Sequence, residues 1–284
     1  MLNKLIILFR SLYGYLIKGA YDLHILRIPS LGERETADCI VSLTSYGRRV
    51  QEGIVCYSIY SILRQTVQPK RIILWLSETE WNDTNLPRQV AVLRDKGVEI
   101  RYCADMRSYK KLLPSIALCP EDHIVTIDDD IIYPKGLLYE LWNEHEAHPS
   151  AIIATHVYDA DLTKAYSQWS DAKAGSEALM YFAVGAGGIL YPVHSLKPEM
   201  MAYDLAAQYA PYADDVWFWA ASIATHTVKR KTAWQYETVS FDAIYQAMHQ
   251  GSALQHSNVK GHALTNDMQI AATMKFIREQ YEIK

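Results

Sequence analysis

Four short strand-like runs separated by helix-length stretches constrain this chain more than any other feature of its sequence. Cys39 to Thr44 and Arg71 to Leu76 read as buried strands, and Val98 to Cys103 and His123 to Ile127 as a third and a fourth strand. Between them, apolar residues recur at helical spacing from Val50 to Gln65, with Pro69 just beyond. Pro87 to Lys96 reads as a helix stopped by Gly97, and Ser108 can cap a helix running to Leu118. Strands that alternate with helices across short connections build a mainly parallel sheet covered on both faces, so the expected fold class is α/β. Ligands of such sheets bind beyond the carboxyl ends of the strands. Three polar clusters therefore belong to one crevice: Thr44 to Arg49, Asp105 to Lys111, and Asp128 to Asp130.

Beyond Pro134 the pattern changes to a helix over 135–147, a strand over 151–156, a glycine-rich stretch at 185–188 and a helix from about Asp215. No internal repeat or low-complexity linker divides the chain, and 284 residues with half of them hydrophobic suit one large core, expected over 38–275. A formal charge of −4 argues against a nucleic-acid partner, whose phosphates need clustered Lys and Arg. Cys39, Cys56, Cys103 and Cys119 show no Cys-x-x-Cys pairing and sit among apolar neighbours, which fits a reduced, cytoplasmic setting.

The first 30 residues stand apart. They are apolar but interrupted by Lys4, Arg10, Lys18, Asp22 and Arg27, so they hold no clean run of about 18 apolar residues that would span a membrane. On a helix, Leu2, Leu5, Ile6, Phe9, Leu12, Tyr13 and Leu16 share one broad face. Such a helix either rests on an anionic membrane surface, making the protein peripheral to it, or packs on its own domain.

The run Ile124-Val-Thr-Ile-Asp128-Asp129-Asp130 ends an apolar strand in three carboxylates, whose mutual repulsion makes sense beside a hard cation. If the chain stays extended, Asp128 and Asp130 project to one side and Asp129 to the other. Mg2+ or Mn2+ there would bridge the phosphates of a nucleotide diphosphate; the competing reading is a solvated acidic turn. Asp105, Lys110 and Lys111 gather charge at a helix start, a place that favours anions, so Asp105 suits a nucleotide and Lys110 or Lys111 a phosphate; the competing reading is a solvated helix face. Asp214 and Asp215 likewise sit at a helix start, where a carboxylate also serves as a simple cap.

The blocks IVSLTSYGRRV, ILRQTVQPKRIILWLS, RSYKKLLP, VTIDDDIIYP, GAGGILYP and ADDVWFWA occur in order between residues 38 and 270. Together they resemble a GT-A (Rossmann-like) glycosyltransferase of the bacterial capsule and lipopolysaccharide type. The resemblance implies that Thr44, Ser45, Tyr46 and Arg48 hold the nucleobase and ribose of a nucleotide-sugar donor. It further implies that Asp128 and Asp130 bind the metal and the nucleotide phosphates, with His256 or His262 as a further ligand. Gly187 and Gly188 fall on the donor-sugar side, while Trp169 and Trp217 are candidate stacking faces for a glycan or lipid-linked acceptor. Asp215, with Asp214 second, takes the place of the general base of an inverting enzyme. A nucleotidyltransferase is the alternative reaction, although IVSLTSYGRRV lacks the Gly-rich, Lys-containing phosphate loop expected there. A catalytically inactive carbohydrate-binding protein on the same fold is the third reading.

Overall fold

The computed structural model describes residues 2–236, 239–240 and 264–283. After the helix α1 (Leu2–Asp22), the chain forms β1 (Thr36–Thr44), α2 (Gly47–Gln51), α3 (Ile54–Leu63), β2 (Gln68–Ser77), α4 (Arg88–Ala91) and β3 (Val98–Cys103). It continues with α5 (Leu113–Leu118), β4 (His123–Thr126), β5 (Ile131–Ile132), α6 (Leu137–Ala147), β6 (Ile152–Ala154), β7 (Val157–Asp159), β8 (Ser170–Asp171), β9 (Glu177–Ala178) and β10 (Tyr181–Ala183). Then come β11 (Ile189–Tyr191), α7 (Tyr203–Tyr209), α8 (Asp214–Ala224), β12 (Lys229–Lys231), β13 (Val239–Ser240) and α9 (Asn266–Tyr281).

The central sheet runs in the order β3-β2-β1-β4-β11-β6-β12-β9. The four strands expected from the sequence are its parallel half, with β1 between β2 and β4. Near-continuous burial explains why β1, β2 and β4 read as apolar runs: Ile40, Val41, Ile72, Ile73, Leu74 and Val125 all have no exposed surface, whereas β3, at the edge of the sheet, alternates buried Val98 and Ile100 with partly exposed Glu99 and Arg101. One apolar cluster packs α3 and α6 on one face, and a second, rich in aromatic rings, packs α7, α8 and α9 on the other. The fold is thus the expected α/β sheet with helices on both sides.

Three helices differ from expectation. The helix expected over 50–65 is two pieces that meet at Gly53, whose φ of 70° a helix interior does not permit. The one expected over 87–96 is a single α turn followed by a 3₁₀ turn, ending at Gly97 as anticipated. The segment after Ser108 is a 3₁₀ turn over Arg107–Lys111, and α5 starts afresh at Leu113. Pro114 accounts for the restart, because a residue without an N–H fits only the first turn of a helix.

Candidate active site

The acidic run leaves β4 and turns at once. Asp129 and Asp130 lie in the turn that leads to β5, so strand alternation does not apply to them. Asp129 and Asp130, not Asp128 and Asp130, share a partner: Arg49 Nη1 lies 2.5 Å from Asp129 Oδ1 and Nη2 2.8 Å from Asp130 Oδ2. Ser45 donates its hydroxyl to Asp129 Oδ2 at 2.5 Å. Burial pushes the Asp129 carboxyl up, against the opposing pull of Arg49 and Ser45. The loop after β1 is in this way clamped onto the acidic turn, which is one expected juxtaposition of the crevice.

Asp128 faces elsewhere. Lys111 Nζ lies 3.3 Å from Asp128 Oδ1, 3.0 Å from Asp214 Oδ2 and 3.7 Å from Asp215 Oδ1. The Lys111 side chain is only 8% exposed, so a single ammonium with little access to water joins the acidic turn to the head of α8. Burial works against the charge on Lys111, but the three carboxylates outweigh it and hold its pKa well above the usual lysine value. The lysine reaches this place because Tyr109 anchors the preceding turn in the core, fully buried and donating to Ala210 O at 2.6 Å.

Asp215 sits in the first turn of α8, and its Oδ2 accepts the backbone N–H of Gly185 at 3.0 Å. Burial, aided by repulsion from Asp214 and Asp128 and opposed by Lys111, pushes its carboxyl up to about 7. Gly185 opens the glycine-rich stretch, and a Cβ there would stand 2.8 Å from Lys111 Nζ and 3.0 Å from Asp215 Oδ1. Tyr133 ties the same stretch to the acidic turn: its hydroxyl accepts the Asp128 N–H at 2.9 Å and donates to Ala186 O at 3.3 Å. Gly185 and Tyr133 were missed as site residues. The glycine was visible within GAGGILYP, but only the fold reveals which of its glycines backs onto the acids.

The other candidates fall in varied surroundings. Thr44 donates to Trp75 O at 2.9 Å, Tyr46 is 43% exposed at the loop tip, and Arg48 pairs with Glu52 at 2.6 Å along α2. Asp105 accepts the Arg107 N–H at 3.0 Å and pairs with the buried Lys110. Gly187 is buried, its carbonyl taken by Thr155 and Tyr236, and Gly188 holds a φ of 82° beneath Leu137. Trp217 has no exposed surface: its indole N–H donates to Met200 O at 2.7 Å and its ring stacks on Tyr209 and Phe276. It is a core residue and offers no face to a sugar. Trp169 packs against Phe182 and Trp219, with one edge on a groove of about 720 Å³ between residues 162–165 and α9. That groove is lined by none of Lys111, Asp128, Asp214 or Asp215. His256 and His262 lie outside the described residues.

No family model matches the sequence, and no curated protein is significantly similar to it. Among solved structures, the chain is similar to a UTP-bound UGPase from Acinetobacter baumannii, with 10% identity and a TM-score of 0.44 over 88% of this chain and 100% of that one. It is similar to S. aureus TarS 1-349, with 10% identity and a TM-score of 0.44 over 87% of this chain and 72% of that one. A 4-diphosphocytidyl-2C-methyl-D-erythritol synthase gives 12% identity and a TM-score of 0.45 over 76% and 99%. TM-scores this low leave the reaction to be read from the site itself.

Proposed function

We propose that this chain transfers a sugar from a nucleotide-diphosphate sugar to a hydroxyl of a glycan or lipid-linked acceptor, as in surface polysaccharide synthesis. The observation that carries this reading is the Lys111 ammonium, which joins a carboxylate suited to the phosphate end, Asp128, to a carboxylate suited to the base, Asp215. Thr44, Ser45 and Tyr46 are assigned to the nucleoside, on the loop that Ser45 and Arg49 fasten to the acidic turn.

A hard cation fits this donor set. Among the described residues no three His, Cys, Asp or Glu side chains form a ready-made metal cage. Mg2+, however, is commonly held by one or two carboxylates together with substrate phosphates, and Asp128 is a carboxylate with a third of its side chain exposed. Asp130 would join it on release from Arg49. Bound there, Mg2+ or Mn2+ would offset the charge that gathers on the departing diphosphate.

The protein's own part is to orient and to take a proton. Asp215 in its charged form accepts the proton of the acceptor hydroxyl while that oxygen bonds to the anomeric carbon and the bond from that carbon to the diphosphate breaks. Gly185 fixes one carboxylate oxygen of Asp215, and Lys111 favours the charged form. Asp214, beside the same ammonium, raises the proton affinity of Asp215 by repulsion.

Two predictions arise here. Because a base must be deprotonated to act, kcat/KM is expected to rise with pH along a limb whose midpoint lies at or below about 7, a bound cation moving it only downward. A limb centred above pH 8, or a rate that falls over this range, would speak against Asp215. Gly185→Ala is expected to push Lys111 and Asp215 apart and lower kcat by about 10–100-fold, the scale on which small misplacements act. Steady-state kinetics alongside circular dichroism would separate that loss from unfolding.

The reaction is tested by supplying a panel of nucleotide sugars with Mn2+ and mixed glycan acceptors. Release of nucleotide diphosphate with a glycosylated product is the expected result. Pyrophosphate release from a nucleoside triphosphate and a sugar phosphate would instead establish a nucleotidyltransferase.

A further inference from the structure

We propose that α1 lies along the surface of an anionic lipid bilayer. Tyr21 packs against Tyr57 and Tyr60, Tyr57 donates to Asp22 Oδ1 at 2.5 Å, and Gly14 is buried, so one face of α1 is fastened to the body. Gly14 and Tyr21 are seven residues apart and share that face, whereas Leu12 and Leu16 point roughly opposite to it at about 100° per residue. Leu12 is 53% exposed and Leu16 64%, and the segment that follows adds Leu23 at 73% and Ile25 at 70%. An apolar strip turned away from the protein's own core needs another apolar medium.

The charge around this strip selects that medium. Up to Glu33 the sequence carries Lys4, Arg10, Lys18 and Arg27 against Asp22 and Glu33; Lys18 pairs with Asp22 and Arg27 with Glu33, which leaves Lys4 and Arg10 as the excess positive charge of this segment within a chain whose formal charge is −4. Apolar side chains flanked by cations match the acyl boundary and headgroups of an anionic leaflet, whereas two-fold pairing with a second copy would set the same cations against one another. Among the described residues no helix is long and apolar enough to cross a membrane, so α1 would lie on the surface. It also runs beside β13, which pairs with β5, the strand that follows the acidic turn. Surface binding would thus hold the acidic turn close to the bilayer, within reach of a lipid-linked acceptor if the proposed transfer is correct.

The test does not depend on the reaction. The full chain is mixed with phosphatidylcholine vesicles with and without one-third phosphatidylglycerol, and bound protein is measured by sedimentation. Binding to the anionic vesicles is expected, weakened by 0.5 M salt and reduced about tenfold or more in Leu12→Asp/Leu16→Asp, with the thermal midpoint unchanged. Failure of the wild-type chain to bind, equal binding by the double variant, or a dimer in solution that the double variant abolishes would each overturn the proposal.

Discussion

Replacing Lys111 by methionine is expected to lower the thermal midpoint by about 10 °C at pH 8, the largest stability loss of any single change in the site. The substitution keeps the length of the side chain but leaves Asp128, Asp214 and Asp215 facing one another without their cation. Breaking a buried ion pair from one side typically costs about 3–5 kcal/mol, and each kcal/mol moves the midpoint of a chain this size by about 2–4 °C. The loss should shrink in acid. Loss of Lys111 removes the one cation that holds the Asp215 carboxyl down against burial, so folding takes up a proton there and stability falls as pH rises through that interval. Calorimetric melts at pH 5 and pH 8 check both halves; equal losses at the two values, or none at either, would remove Lys111 from its central place.

Asp215→Asn is expected to lower kcat about 10²–10⁴-fold, the range over which positioned general bases act, while KM for the donor changes little. Asparagine keeps the shape of the side chain and can still accept the Gly185 N–H, so the fold should survive. Asp214→Asn removes a neighbouring charge but not the base, and should cost far less. Should Asp214→Asn prove the more damaging of the two, the roles assigned within this pair would have to be exchanged.

β1, β2 and β4 were legible because both faces of these strands are covered, and unbroken apolar runs such as Ile72-Ile73-Leu74 have few other uses. β11 was not legible: three residues give no period, and its place between β4 and β6, antiparallel to both, depends on partners distant in sequence. The break before α5 was not read: Ser108 offers a cap for a single helix running to Leu118, and that reading passes over Pro114. The gathering of polar clusters at one crevice followed from strand direction alone, and Ser45, Arg49 and the acidic turn do meet there. The pairing inside that crevice did not follow. Lys111 reads locally as one more cation in a charged turn, and only the fold brings it to Asp128 and to the head of α8 together. The Asp128–Asp130 alternation failed because it assumed that the strand continues where the chain turns. Trp217 shows the usual ambiguity of an aromatic residue on a helix, which the core claimed here.

The proposed transfer requires Asp128 and its neighbours to take up a cation together with a nucleotide diphosphate. The most direct measurement is the thermal midpoint of wild-type and Asp128→Asn protein with a nucleotide-diphosphate sugar, each with and without Mn2+, since a ligand bound only by the folded state raises it. The predicted result is a rise for the wild type that needs both ligands and is lost in Asp128→Asn. A rise that persists without Mn2+, or that Asp128→Asn retains in full, would contradict the account.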